Sequence, residues 1–151
     1  MTTVCFVTPP DESPSERLLA YETVRQALSP YDRERPYTNA LCVETVSLGS
    51  AVALVSDLDW YLRRTVQDVI VREPAVSERE WLSRALAEGL RAEAIDPADT
   101  EEVVKIYGVV EETLVEPMYA ERRRDGSLPG YDLREVEATV VVRVGPAEFG
   151  R

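Results

Sequence analysis

Any chemistry in this chain has to be done without histidine, because the 151 residues hold none. That absence removes the commonest general base, the commonest metal ligand and most nucleophile triads. The seven glycines are scattered and follow neither a phosphate-loop nor a dinucleotide-binding spacing. Carboxylates are the remaining catalytic option. Asp57 and Asp59 lie two apart in a predicted helix, so they point in different directions. Asp99, Glu101 and Glu102 carry the oxygen ligands that suit magnesium or calcium. Acids are so frequent here that such clusters arise by chance, and acids in the first turn of a short helix are explained by its dipole. The expectation is no metal and no cofactor, with catalytic residues unassigned.

Arginine offers more. Arg63 and Arg64 follow Trp60 and Tyr61, Arg33 and Arg35 sit between Tyr31 and Tyr37, and Arg122, Arg123 and Arg124 form a run. Guanidinium groups mixed with aromatics bind phosphate or stack on single-stranded bases. Local neutralisation of Asp32, Glu34 and Asp59 is the simpler account. A net charge of −11 also repels polyanions, so nucleic acid is not an expected partner. Arg63, Arg64, Arg33 and Arg35 remain the candidates for an anion site, and Trp60 and Tyr61 the candidates for an interaction surface. Trp81 and Tyr107 join them as aromatics, although core burial explains such residues more simply.

Charge is the strongest compositional signal: 28 acidic residues stand against 17 basic ones, and Lys105 is the only lysine. In dilute buffer such a charge repels itself and opposes the compact state. In molar salt the screening length falls to about 3 Å and the repulsion is largely lost. The composition therefore suits a cytoplasm full of potassium chloride. Codon bias in a GC-rich genome would explain the lysine deficit but not the acidic excess. No apolar run approaches the roughly 20 residues needed to span a bilayer. The start, Met1 to Val7, lacks a signal peptide's basic region, so a cytoplasmic location is expected. Cys5 and Cys42 each fall in a predicted strand. Without His or a Cys-x-x-Cys pair they read as buried free thiols, not a zinc site or disulfide framework.

The elements that must position these groups follow from periodicity. Residues 3 to 8 read as a central strand, apolar on both faces. A capping box at Ser13–Glu16 opens a helix ended by Pro30. Residues 31 to 37 read as a polar loop and 41 to 47 as a strand. A long helix spans about 50 to 66, and 68 to 71 is either a short strand or the helix end. A second capping box, Ser77–Glu80, predicts a helix over 78 to 94, and Asp96-Pro97 a further turn. Residues 103 to 110 and 114 to 122 read as a hairpin whose second strand is an edge, because Pro117 cannot donate to a ladder. Asp125-Gly126 and Pro129-Gly130 mark a loop, and 136 to 144 is a cleanly alternating strand. Helices clustered before strands predict a single α+β domain over 1–151, a two-layer sandwich of a mixed sheet with three helices mainly on one face.

The segments Val43–Gly49, Asp59–Leu62, Val71–Pro74, Glu80–Arg84 and Tyr131–Glu137 resemble those of a small family of uncharacterised haloarchaeal proteins. The resemblance implies a halophilic archaeal source and brings no activity or site. Function is therefore expected in one of two classes. The first is a non-catalytic binding or regulatory module that self-associates as a homodimer. The alternative is a carboxylate-dependent enzyme on a small anionic or phosphorylated substrate, with arginine as the clamp.

Overall fold

Every residue of the first strand, β1 (Thr2–Val7), is buried, as a strand apolar on both faces requires. In the computed structural model, which describes residues 1–129 and 136–149, β1 is hydrogen-bonded on both sides. It pairs antiparallel with β3 (Ala40–Thr45) and with β4 (Asp68–Arg72). The short segment at 68 to 71 thus joins the sheet. The other strands are β2 (Arg33–Tyr37), β5 (Trp81–Ser83), β6 (Val103–Val110), β7 (Thr113–Glu121) and β8 (Ala138–Val144). Together they form an eight-stranded mixed sheet in the order β2-β3-β1-β4-β5-β8-β6-β7, in which only β5 and β8 are parallel. The fold class is α+β.

Five α-helices occur among the described residues, where three longer ones were expected. The first splits into α1 (Pro14–Leu18) and α2 (Glu22–Leu28). On a continuous helix Leu18 and Val24 would lie about 120° apart. The extended Tyr21 between the helices lets both reach the core, and Arg25 caps the Leu19 carbonyl at 2.6 Å. Ser13 makes no side-chain cap, so only the proline at the helix start behaves as predicted. The second splits at Leu58 into α3 (Leu48–Asp57) and α4 (Asp59–Thr65), with the apolar face kept.

The predicted helix over 78 to 94 is corrected most. Ser77 Oγ does accept from the backbone of Arg79 and Glu80, but the turn goes no further. Trp81 and Leu82, adjacent and both buried, fit a strand, which sends them to opposite faces. The working cap is Ser83, whose hydroxyl accepts from Leu86 N at 3.2 Å and starts α5 (Arg84–Arg91). The predicted loop at 31 to 37 is likewise corrected to β2, an exposed edge strand. Its charged residues show no apolar period because they are exposed, and only Tyr37 packs inward. The expected turn at Asp96-Pro97 is a 3-10 turn capped by Asp96. Gly130 and the segment 131–135, part of the last resembling peptide, lie outside the described residues.

Helices cover one face of β1, β3 and β4. Val4, Phe6, Leu41, Val43, Val69 and Val71 meet Leu18, Val24, Leu28, Leu54, Val55, Leu58 and Leu62 there. Each fully buried aliphatic side chain contributes about 1.5–3 kcal/mol. This helix-on-sheet packing accounts for the first core only. The opposite face of the same strands carries Cys5, Val7, Cys42 and Ile70. These pack against Val103, Tyr107, Val109, Leu114, Val140 and Val142 from the far half of the sheet. The sheet is therefore folded over on itself. The fold line is β5, which joins its neighbours by only two registered pairs on each side.

The two ends of the sheet are tied where they meet. Asn39, fully buried in the β2–β3 turn, donates to the Leu114 carbonyl and accepts from the Leu114 N–H, each at 2.9 Å. It also donates to the Thr8 carbonyl, and Thr38 N donates to the Glu112 carbonyl at 2.8 Å. Glu111 and Glu112 form the two-residue β6–β7 turn with φ of 49° and 62°. Left-handed backbone is unfavourable for glutamate, and the tie to Thr38 helps hold it. Pro117 sits where β7 bulges opposite Tyr107, on the edge strand the sequence predicts. Replacing Asn39 with Ala strips partners from both main-chain groups of Leu114. The expected cost is about 3 kcal/mol, read as a lower chemical-denaturation midpoint; an unchanged midpoint would mean the ends hold without this clamp.

Candidate functional site

Helix α4 carries the exposed aromatic and cationic groups. Its four middle residues Trp60, Tyr61, Arg63 and Arg64 share barely more than one turn, and Leu62 and Thr65 anchor the other side in the core. Trp60 remains 49% exposed. The Arg64 guanidinium lies 3.7 Å from the centre of its ring, while Tyr21 and Tyr61 meet it edge-on at 6.2 and 5.0 Å. Arg64 also donates to the Trp60 carbonyl at 2.6 Å, which fixes its stem. The indole is thus rigidly presented and not loosely solvated. Trp81 and Tyr107, in contrast, are buried.

Behind α4 a cleft of about 240 Å³ is lined by Leu62, Arg63, Val66, Gln67, Asp68, Val69 and Arg84. Asp59 holds two of its arginines, accepting from Arg84 at 2.7 Å and pairing with Arg63 at 3.0 Å. The hydrogen bond from Arg84, aided by both charges, lowers the Asp59 carboxyl below its ordinary value. Arg63 and Asp68 are thereby placed in one concavity. The other predicted anion ligands are elsewhere. Arg33 and Arg35 lie on edge strand β2, where Arg35 donates to the Thr38 carbonyl, lining a separate cleft with Tyr37 and Glu112. Arg122 and Arg143 both bind Glu80, at 2.7 and 2.8 Å. Arg122 also lines a cleft with Arg123, Arg124 and Glu101. Asp99, Glu101 and Glu102 do not converge: among the described residues no group of three His, Cys, Asp or Glu could hold a metal.

Asp68 links the cleft to the inside of the folded sheet. Its carboxylate pairs with the Lys105 ammonium and accepts from the Tyr107 hydroxyl at 2.6 Å. Strand parity explains the meeting: Lys105 and Tyr107 both face inward from β6, and Asp68 faces them across the fold from β4. The sequence reading missed Asp68, Lys105 and Arg84. One signal was available for Lys105: the only lysine of the chain sits between Val104 and Ile106, in a strand with no other charge.

Burial, then the charge of Asp68 and the hydrogen bond to it, push the Tyr107 phenol far above its ordinary value. Only the neutral phenol donates this bond. The folded-state pKa exceeds the unfolded value of about 10, so its contribution is complete below that pH and falls away as the pH rises further. Tyr107→Phe is expected to cost about 1.5–3 kcal/mol at neutral pH, as for a hydrogen bond to a charged group. It should also make the loss of stability above pH 10 shallower than in the parent, measured by unfolding titrations across that range. Equal alkaline slopes would remove Tyr107 from this account.

No helix among the described residues is long and apolar enough to cross a membrane. No curated protein and no solved structure matches the chain. The profile of a family of unknown function (DUF5804) matches residues 2–109, from β1 into β6, and so takes in α4, Asp68, Arg84, Lys105 and Tyr107. The chain belongs to that family of unknown function.

Proposed function

We propose that the chain is a non-catalytic binding module, a single domain working in a salt-rich cytoplasm, that docks a second copy of itself through the outer face of α4. The observation that carries this reading is the half-exposed Trp60, held between Arg64, Tyr21 and Tyr61. Trp, Tyr and Arg dominate interface energetics, and a preorganised indole loses little entropy on binding. The occupant follows from charge. Asp59 lies at one end of this helix, and Arg63 and Arg64 at the other. A two-fold copy laid antiparallel sets acid against base on both sides, the self-matching that an isologous contact needs. The Lys105 ammonium is buried, so the module's outer cations are guanidinium groups, which stack and pair where an ammonium stays hydrated. Sedimentation velocity in roughly 1 M KCl, where the screening length is near 3 Å, should show a concentration-dependent dimer that weakens in dilute buffer as self-repulsion returns. Trp60→Ala should raise the dimer Kd about 30-fold, the effect of a hot-spot side chain. A monomer at every salt and protein concentration would sink the proposal.

A second reading rests on the cleft that sets Arg63 and Arg84 beside Asp68. There a small anionic or phosphorylated substrate would be clamped by arginine with the carboxylate as base. Inorganic phosphate added at constant ionic strength should raise the melting temperature of the parent but not of Arg84→Ala. Equal shifts in both would assign the effect to general salt exclusion and discard the cleft.

A further inference from the structure

Cys5 and Cys42 face each other directly in the β1–β3 ladder. The kind of pair they form can be read from the hydrogen bonding. Thr8 N donates to the Asn39 carbonyl at 2.8 Å, and these residues continue the same register three positions on. In an antiparallel ladder hydrogen-bonded and non-hydrogen-bonded pairs alternate. Thr8 and Asn39 make a hydrogen-bonded pair, so Cys5 and Cys42 make a non-hydrogen-bonded one, the closer type. Its Cα separation of about 4.5 Å falls inside the range of a disulfide. Both thiols are free, buried and on the inward face of the folded sheet.

We propose that Cys5 and Cys42 are a redox modification site, converted to an intramolecular disulfide by hydrogen peroxide. Cys42, next to edge strand β2, is the first to react. Its thiolate sulfur attacks one peroxide oxygen, the O–O bond breaks and hydroxide leaves, giving a sulfenic acid. The Cys5 sulfur then attacks the Cys42 sulfur, the S–O bond breaks and a second hydroxide leaves. The two thiol protons complete two water molecules. Two electrons pass from the sulfurs to the peroxide. The neighbouring Cys42 thiol and burial keep Cys5 protonated, so Cys5 is not the first to react; it gives up its proton to the departing hydroxide as its sulfur attacks.

Access is set by β2. That strand is exposed, slips register between Glu34 and Tyr37, and has Pro36, which cannot donate to the ladder. Tyr37 packs, half-buried, against the cluster that holds both thiols. Edge strands tied this lightly open at low cost, so Tyr37 is the cover over the pair and a positioning residue for the reaction.

The test is exposure of the folded chain to hydrogen peroxide, followed by alkylation in denaturant and mass analysis without reductant. The expected result is a monomer lighter by the two hydrogens lost, with no alkylated thiol and one peptide pair joining Cys5 to Cys42, restored by dithiothreitol. Tyr37→Ala should speed the reaction about tenfold while the product stays the same, consistent with easier local opening. Cys42→Ser should give no link and leave Cys5 alkylatable. Two alkylatable thiols after exposure, added oxygen without a link, or links only between molecules would each overturn the proposal.

Discussion

The far half of the sheet lies against the near half, and the positions of the functional groups depend on that one closure. β5 makes it possible, because a three-residue strand with two pairs on either side resists bending little. Asn39 completes it by presenting an amide that imitates a backbone pair to Leu114. Without the fold-over, one face of β1, β3 and β4 would expose Cys5, Cys42 and Ile70, and Asp68 would be far from Lys105. The closure buries a second apolar core and, with it, an ionic group that must be satisfied internally.

That requirement shows how charge is used in this chain. Removing one partner from a buried ion pair costs about 3–5 kcal/mol, far more than the surface pairs return. Asp68 with Lys105, and Glu80 with Arg122 and Arg143, are the charges with this leverage. Arg143, on the polar phase of the β8 alternation, is nonetheless buried for this reason: it donates to Glu80 and to Thr100. Exposed pairs such as Arg63 with Asp59 orient side chains more than they stabilise the fold. Concentrated salt would weaken these outer pairs and leave the inner ones largely untouched.

Arg63 belongs both to the outer face of α4 and to the cleft behind it. Docking on that face and filling of that cleft would therefore compete or cooperate through one side chain. Asp68 lines the cleft and also holds Tyr107, so one carboxylate touches both the cleft and the seam between the two halves of the sheet.

Sequence alone determined what local periodicity and covalent restraint control. Thr2–Val7 had to be an interior strand because Val4 to Val7 are apolar without alternation, and β7 had to be an edge because Pro117 has no N–H. Lack of histidine and excess of acid were equally plain. Tertiary structure decided the rest. β2 has no apolar period, since an edge strand leaves most of its side chains in solvent. Ser77 reads as the cap, and only the demand that Trp81 and Leu82 face opposite sides of a sheet moves the helix start to Ser83. Asp68, Lys105 and Tyr107 are brought together by a fold line whose one local mark is the lone lysine of an otherwise uncharged strand. Side chains that meet across such a seam are selected by long-range burial, and neighbours in sequence do not name the partner.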